Sequence, residues 1–227
     1  MFAPADVRPD LERQFFVVGQ DYREARKEET QPYRSWRPPT KGPNEKDLPA
    51  AFNRDAIELL RAARPREHLE LVHRLDRDTS GVLVFARTRT GLTGVQRLIR
   101  DGEVSKQYLC LMSGALKRAK FDVNVPLRKA VLAGGERMVR VDDAGKPALT
   151  FFREIERYRD ASLAEATLDT GRTHQIRVHA AHAGHPLSGA AKYGDREANK
   201  RFRAMGLKRM FLHAARFEFA LGAPLGR

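Results

Sequence analysis

His73-Arg74-Leu75-Asp76-Arg77-Asp78-Thr79-Ser80-Gly81 is a charged segment between two short apolar runs, residues 69–72 and 82–85. Both runs are rich in β-forming residues, so the pattern predicts strand, loop and strand. The loop holds two carboxylates and two guanidiniums and ends in Thr-Ser-Gly, a turn composition. A solvated, charge-balanced connection would have the same composition. The apolar flanks, however, favour a loop whose middle lies near the core, where an ionised aspartate needs a paired cation.

A second segment, Thr170-Gly171-Arg172-Thr173-His174-Gln175-Ile176-Arg177-Val178-His179, could supply that cation. Thr173 is a plausible N-cap for a helix that runs to Gly184, with a proline just beyond it. Arg177 follows Thr173 by one helical turn and can project from the same helical face. Isolated arginines on helices are usually surface residues, and the residues alone leave that alternative open.

Together the two segments resemble the signatures HRLDxxTSG and GRTHQIRxH of the RluA/RluC family of pseudouridine synthases, and both are intact here. Each signature alone is moderately specific, whereas both in this order, about a hundred residues apart, are strongly specific. The resemblance spans roughly residues 52–219. Further matching segments lie at residues 135–141 (GERMVRV), 145–147 (GKP), 193–195 (YGD) and 211–215 (FLHAA).

Apolar periodicity predicts many strands and few helices. Helices are expected at residues 54–63, capped by Asn53, and from Thr90 to Gly102. Strands are expected at residues 105–112, 122–127, 137–141, 149–158, 162–168 and 213–219. This pattern favours an α+β fold with a mixed, mainly antiparallel central sheet and flanking helices. The resemblance implies the same architecture, the pseudouridine synthase catalytic fold.

Residues 1–51 differ in composition from the rest of the chain. They hold seven prolines, mixed charge and one short apolar run, Phe15–Val18, which favours an irregular leader. Members of the resembled family usually carry a strand reading N-K-P-x-G before the first signature, and many carry a small RNA-binding domain there. Neither is recognisable in this sequence. We therefore expect a catalytic domain over residues 52–227 that lacks the usual first strand and C-terminal end.

Charge is distributed unevenly along the chain. The net charge is +13, yet residues 1–72 hold 13 basic and 13 acidic side chains, so the whole excess lies in residues 73–227. A strongly basic folded region is expected to bind a polyphosphate backbone such as RNA. A merely basic soluble protein is the alternative. The basic residues are dispersed, which argues against a membrane-surface patch.

Two further features of the composition indicate the compartment. No run approaches the ~20 apolar residues of a membrane span, and the N-terminus has no apolar signal-peptide core. The single cysteine, Cys110, lies in an apolar run and cannot form an internal disulfide. We therefore expect a cytoplasmic protein in which Cys110 is a small core residue and not a nucleophile.

Converting uridine to pseudouridine, the activity that the resemblance implies, breaks the N–C1′ bond, turns the uracil and rejoins it through C5. Nothing is oxidised and no water is consumed, so no cofactor or metal is expected. One carboxylate is the minimum requirement, acting either as a nucleophile or by removing a ribose proton. The signature assigns this role to Asp76. Asp78 is the rival, but it occupies a position that the family leaves variable.

The resemblance also implies two partners for that carboxylate. Arg177 is the expected counter-charge, because a guanidinium stays protonated and grips a carboxylate with two bonds. Tyr108, in the family's K-x-Y segment, is expected to pack against the uracil and to handle the C5 proton. Without the resemblance, a tyrosine in such a strand is more often core packing.

A uridine inside folded RNA must be extruded before it can react, at a cost of about a few kcal/mol in stacking. Arg74, beside Asp76, is expected to hold the vacated stack. Arg172, His174 and Gln175 are expected to bind phosphates or base edges. His73 could equally be a hydrogen-bonded structural residue. The implied partner is RNA, with large-subunit ribosomal RNA indicated by the RluC-like segments, and a monomer without membrane association is expected.

Other function classes find less support. The histidines at 174, 179, 182, 185 and 213 raise a metal site as an alternative, but H-E-x-x-H is absent and there is one cysteine. They are interpreted instead as part of a basic RNA-binding face. No P-loop or G-x-G-x-x-G motif is present. A non-catalytic RNA-binding protein on the same scaffold and, less favoured, a metal-dependent nuclease using Asp76 and Asp78 remain as alternatives.

Overall fold

A computed structural model describes residues 15–18, 56–58, 60–76, 78–131 and 137–220, with only the backbone of residues 15–18 and 137. The chain divides into two compact units, Met1–Glu103 with Phe219–Arg227, and Val104–Glu218. The first signature falls in the first unit and the second signature falls in the second unit.

The described residues of the first unit form the strands β1 (Phe15–Val18), β2 (Glu70–Leu71), β3 (Ser80–Gly81) and β4 (Leu83–Ala86). Three of them form an antiparallel sheet in the order β1-β4-β2. All four residues of β4 are buried, as expected for a short, continuous apolar strand. The predicted strand, loop and strand around the first signature are confirmed, although β2 is only two residues long.

The strand β1 departs from the prediction of an irregular leader. It pairs with β4 from Phe15 opposite Ala86 to Val18 opposite Leu83. Four apolar residues among prolines and charges are a weak strand signal, and they gain a ladder of hydrogen bonds only because one edge of β4 accepts them. The chain therefore has a strand ahead of the first signature, where the sequence analysis expected none.

Helix α1 (Arg89–Asp101) follows β4 and begins slightly earlier than predicted. Its N-cap is Thr88, whose hydroxyl accepts a hydrogen bond from the Gly91 amide at 3.0 Å. The helix ends as predicted at Gly102, which is left-handed with φ 79°. Residues 56–58 and 60–63 are also helical, in agreement with the predicted helix over 54–63. The predicted cap, Asn53, lies outside the described residues.

In the second unit the main strands are β5 (Val104–Ser113), β6 (Lys120–Asn124), β9 (Leu149–Arg157), β10 (Ala161–Leu168) and β11 (Leu212–Phe219), and they lie side by side in the order β11-β5-β10-β9-β6. The pairings among β5, β10, β9 and β6 are antiparallel. A separate antiparallel pair consists of β7 (Leu127–Val131) and β8 (Arg137–Val141). The single strand predicted over 122–127 is wrong, because Pro126 cannot donate to a ladder and separates β6 from β7.

The described residues of the second unit also form two helices, α2 (Gln175–His182) and α3 (Arg196–Ala204). The predicted cap of α2 is wrong: His174 precedes the helix in a left-handed conformation and no side chain caps it. Helix α3 was not predicted from the sequence. It begins after Asp195, whose carboxylate accepts a hydrogen bond from the Ala198 amide at 2.8 Å. Among the described residues of α3, only Ala198 and Phe202 are buried, so its apolar stripe is too thin to stand out among charges.

The sheet of the second unit has helices on both faces. Four residues aligned across neighbouring strands mark one face of the sheet: Tyr108, Ala166, Phe152 and Phe121. We call this face the inner face. Helix α2 packs on it in one buried cluster with residues such as Cys110, Met112, Phe152, Ile176 and Ala180. Helix α3 packs on the opposite, outer face, where Phe202 meets Ala161 and Leu111.

Cys110 is fully buried in the inner cluster, and this burial raises the pKa of its thiol to about 12. A thiol in that state is a small core residue, as expected, and a poor nucleophile. The predicted α+β class with a mainly antiparallel sheet is confirmed. None of the helices among the described residues is long and apolar enough to cross a membrane.

Candidate active site

Asp76 lies in the loop between β2 and β3 of the first unit. Its carbonyl accepts the amide of Thr79 at 3.1 Å, which closes a tight turn, and its side chain is half-buried. Asp78, within the same turn, is exposed and left-handed with φ 63°. Thr79 and Ser80, which follow, are buried. The two carboxylates of the loop therefore occupy different environments, and the partly desolvated one is Asp76.

The loop is fastened to β4 by the residues before Asp76. The ring nitrogen Nε2 of His73 accepts the amide of Val84 at 3.2 Å, and the amide of Val72 donates to the carbonyl of Val84 at 3.1 Å. Leu75 is buried. His73 thus has the structural role left open by the sequence, while Arg74 is exposed.

Tyr108 and Arg177 both belong to the second unit and lie on the inner side of its sheet. Tyr108 is half-buried in β5, opposite Ala166 of β10, and packs against the cluster that includes Ile176 of α2. Arg177 is only 5% exposed, which excludes the surface-arginine alternative. Its guanidinium carbon lies 5.2 Å from the centre of the Tyr193 ring, within cation–π distance.

Tyr193 is a residue that the sequence analysis did not assign to the site. Its hydroxyl accepts the amide of Val139 in β8 at 2.8 Å and shares a hydrogen bond with Nδ1 of His174 at 3.0 Å. The backbone of Tyr193 is left-handed with φ 67°, a conformation that non-glycine residues adopt at a cost. One side chain therefore orients both His174 and Arg177. The available signal was the Y-G-D segment, which the resemblance marked without a role.

The other two residues of that segment explain its pattern. A Cβ on Gly194 would overlap the carbonyl of Ala190 and approach the Asn199 amide nitrogen to 2.8 Å, so only glycine fits. Asp195 caps α3. Within this segment, Tyr193 contacts Arg177, Gly194 permits the close approach to Ala190, and Asp195 begins the helix.

The GKP segment at residues 145–147 contacts β7 and the loop before α2. The backbone of Lys146 exchanges two hydrogen bonds with Leu127, both 2.9 Å. A Cβ on Gly145 would lie 2.6 Å from the carbonyl carbon of Leu127. The carbonyl of Pro147 accepts Nε of Arg172 at 2.9 Å, so the exposed Arg172 is held at the entrance to α2.

Gln175 requires a correction. It is 2% exposed, and its amide oxygen accepts both the Thr170 hydroxyl (2.8 Å) and the Arg172 amide (2.9 Å). Its amide nitrogen donates to the Leu149 carbonyl and the Thr150 hydroxyl, both at 2.9 Å. The amide of a glutamine accepts two hydrogen bonds and donates two. Because all four are made within the protein, Gln175 orders the loop before α2 and the predicted RNA contact does not fit its position.

His179 also differs from the sequence-based interpretation as part of an RNA-binding face. It is fully buried; Nδ1 bonds to the Thr150 hydroxyl at 2.9 Å and Nε2 to the Val125 carbonyl at 3.2 Å. Burial lowers the pKa of this imidazole, and the nearby His182 lowers it further, against a raising effect of the Val125 carbonyl. A neutral ring that donates through Nε2 satisfies both contacts. No group of three or more metal-ligating side chains occurs within the part of the chain that the structure describes.

The chain is similar to a known protein family, to curated relatives and to solved structures. The family model described as RNA pseudouridylate synthase matches residues 37–182. Ribosomal large subunit pseudouridine synthase C of Salmonella typhi is 49% identical over 166 residues, which cover 72% of this chain and 52% of the relative. The protein of that name from Haemophilus influenzae is 46% identical over 171 residues, 75% of this chain and 53% of the relative. The chain thus spans about half the length of these relatives.

Two human structures resemble the fold. RNA Pseudouridylate Synthase Domain Containing 1 has a TM-score of 0.68 at 24% identity, covering 91% of this chain and 75% of the other. RNA Pseudouridylate Synthase Domain Containing 4 has a TM-score of 0.64 at 22% identity, covering 90% of this chain and 80% of the other. At these identities the likeness concerns the fold alone.

Proposed function

The chain belongs to the RNA pseudouridylate synthase family, and from that premise we propose that it isomerises uridine to pseudouridine in RNA. The observation that carries the proposal is the pair of intact signatures, one with a half-buried Asp76 and one with a buried Arg177. Relatives about half identical to this chain are named for the large ribosomal subunit. We therefore propose large-subunit ribosomal RNA as the substrate, a cytoplasmic location and a monomeric enzyme.

In the proposed reaction Asp76 acts on a uridine that has left the RNA stack. Its carboxylate either forms a bond to the nucleotide, which breaks again before product release, or removes a ribose proton, which it later returns, and the N–C1′ bond breaks. The uracil turns, a C5–C1′ bond forms, the C5 proton leaves, and N1 gains a proton, so atoms and charge balance. Each step is a proton transfer or a bond exchange, the Asp76 carboxylate is regenerated, and the net change lies within one nucleotide. The proposed reaction requires no cofactor.

Arg177 and Tyr108 are proposed to complete the catalytic set. A guanidinium held in the protein interior favours the ionised form of a carboxylate that it contacts, because the cation offsets the cost of desolvation. Tyr108, half-buried in β5, offers a ring to the uracil and a hydroxyl to the C5 proton. Arg74, Arg172 and His174 are proposed to bind the RNA around the extruded base.

The proposal is tested by tritium release from RNA labelled at C5 of uridine, with large-subunit ribosomal RNA as substrate. Asp76→Asn is expected to abolish release while RNA affinity stays within about twofold, since one neutral amide replaces one carboxylate of the same shape. Asp78→Asn is the matched control and is expected to retain most of the activity, because Asp78 is exposed. Full activity of Asp76→Asn would contradict the assignment. A wild-type chain that binds RNA without releasing tritium would favour the non-catalytic alternative.

A further inference from the structure

Lys106 is a half-buried cation on the inner face of the sheet. It precedes Tyr108 by two residues in β5, so both side chains leave the strand on the same side. Its strand partner is Leu168, the last residue of β10 before the chain enters the loop of the second signature. The Lys106 ammonium nitrogen lies 3.6 Å from the position that a Cβ on Gly171 would occupy. The cation therefore borders the signature loop beside the proposed uracil-stacking tyrosine.

The Lys106 ammonium makes no hydrogen bond or ion pair with any residue that the structure describes. Burial without such a partner lowers the pKa of this lysine, because desolvation disfavours its charged form. Two arginines of the unit, by contrast, have carboxylate partners: Arg153 pairs with Glu165 at 3.1 Å and Arg140 with Asp142 at 3.0 Å. A partly desolvated cation of this kind is stabilised when an anionic ligand arrives.

We propose that the Lys106 ammonium binds a backbone phosphate of the RNA next to the uridine that stacks on Tyr108. The inference rests on the proposed function, which supplies a polyanionic ligand, and it adds a residue that the two signatures do not contain. Lysine suits this contact because it binds phosphate as a compact point charge with three donors. The absence of a side chain at Gly171 leaves the approach to the ammonium uncovered on that side. The alternative is that the lysine stem only covers apolar surface while its head remains in water.

The test measures binding of the full chain to a short oligouridylate in which single phosphates are replaced, one at a time, by neutral methylphosphonates. Wild-type affinity is expected to fall about tenfold at one position, as a charge-assisted hydrogen bond is lost. Lys106→Met is expected to bind the unmodified oligonucleotide about tenfold more weakly, with no further loss at that position. Its slope of log affinity against log salt is expected to be shallower by about 0.7, the value for one phosphate on a single strand.

Matched variants separate this contact from general charge. Lys120 lies in β6 beside Phe121 and points to the outer face. Lys120→Met removes the same charge, and its affinity is expected to fall at the same methylphosphonate position as that of the wild type. Lys106→Arg is expected to show the same position-specific fall in affinity, because it retains the charge. It therefore controls for the possibility that Lys106→Met binds weakly only because it misfolds. Gly171→Ala, which places a methyl in ordinary contact with the ammonium at 3.6 Å, is expected to weaken binding by a smaller factor.

The inference is overturned if Lys106→Met still responds to the same methylphosphonate, if its salt slope equals that of the wild type, or if the wild type responds to none. Tritium release is measured separately. Tritium release without a Lys106-dependent response to one methylphosphonate would support the proposed isomerase and contradict the phosphate contact. A Lys106-dependent response without tritium release would support the phosphate contact and contradict the proposed isomerase.

Discussion

At the scale of single residues, the arginine of the second signature depends on a tyrosine 16 positions later in the chain. The Tyr193 ring lies under the Arg177 guanidinium, and its hydroxyl reaches both His174 and the backbone of β8. The ring and the hydroxyl thus serve different partners. Substitutions that remove one or both can separate orientation of the proposed catalytic arginine from orientation of the proposed RNA contact.

Tyr193→Phe keeps the ring and removes the hydroxyl. We expect KM for RNA to rise by about threefold to tenfold, because His174 loses the hydrogen bond to the Tyr193 hydroxyl, with little change in kcat. Tyr193→Leu also removes the ring, and we expect kcat to fall by about a further tenfold, in line with a cation–π contact. Steady-state tritium release measures both constants. If both variants lowered kcat equally, or changed only the melting temperature, Tyr193 would be a general packing residue.

Candidate site residues could be proposed from the sequence where a motif marks them, whereas their surroundings could not be predicted. Arg177 and Gln175 stand two positions apart in one signature, and both are buried. The Gln175 amide is saturated by four hydrogen bonds. Two of them are to Leu149 and Thr150, which are distant in sequence. Only a fold that brings β9 against α2 shows that this amide has no capacity left for RNA.

At the scale of elements, strands with clear apolar runs were predicted within a few residues, while short or charged elements were not. β8 begins and ends where the sequence analysis placed it. α3 was missed because its helical signal is mostly a cap, Asp195, with few apolar positions. α2 begins one residue later than a Thr173 cap requires, since His174 adopts a left-handed turn that tertiary contacts with Tyr193 help to hold.

The attachment of α2 to the sheet predicts a pH dependence of stability. The folded-state pKa of His179 is lowered, so between that value and the ordinary value of about 6.5 the unfolded chain binds more protons. The contribution of His179 is complete above pH ~6.5 and declines as the pH falls below it, by at most about 1.4 kcal/mol per pH unit. His179→Gln, which can donate and accept without titrating, is expected to show a flatter dependence. Urea unfolding between pH 7.5 and pH 5, values that bracket the ordinary histidine range, measures it.

The matched control for this prediction is His182→Gln, on the same helix but exposed. It is expected to preserve most of the wild-type pH dependence. An identical slope for wild type and His179→Gln would show that the buried imidazole does not govern acid sensitivity.

At the scale of the whole molecule, the charge distribution and the family both favour the proposed polyanionic substrate. All of the net +13 lies in residues 73–227, which contain both signatures. We expect RNA affinity to fall steeply with salt, with a slope of several units on a logarithmic plot, because each phosphate contact adds about 0.7–0.9. Tritium release at saturating RNA is expected to change little over the same range. A slope near 1 in a filter-binding titration would contradict a broad basic surface.

The left-handed backbone of His174, with φ 54°, has an implication for engineering. Glycine would adopt that turn without the penalty of about 1–2 kcal/mol that a side chain incurs there, so a purely thermostable redesign would select glycine. Such a redesign would delete the imidazole that meets Tyr193. Stability and the proposed RNA contact of His174 are therefore opposed at a single position, and a screen for heat tolerance alone would discard the ring first.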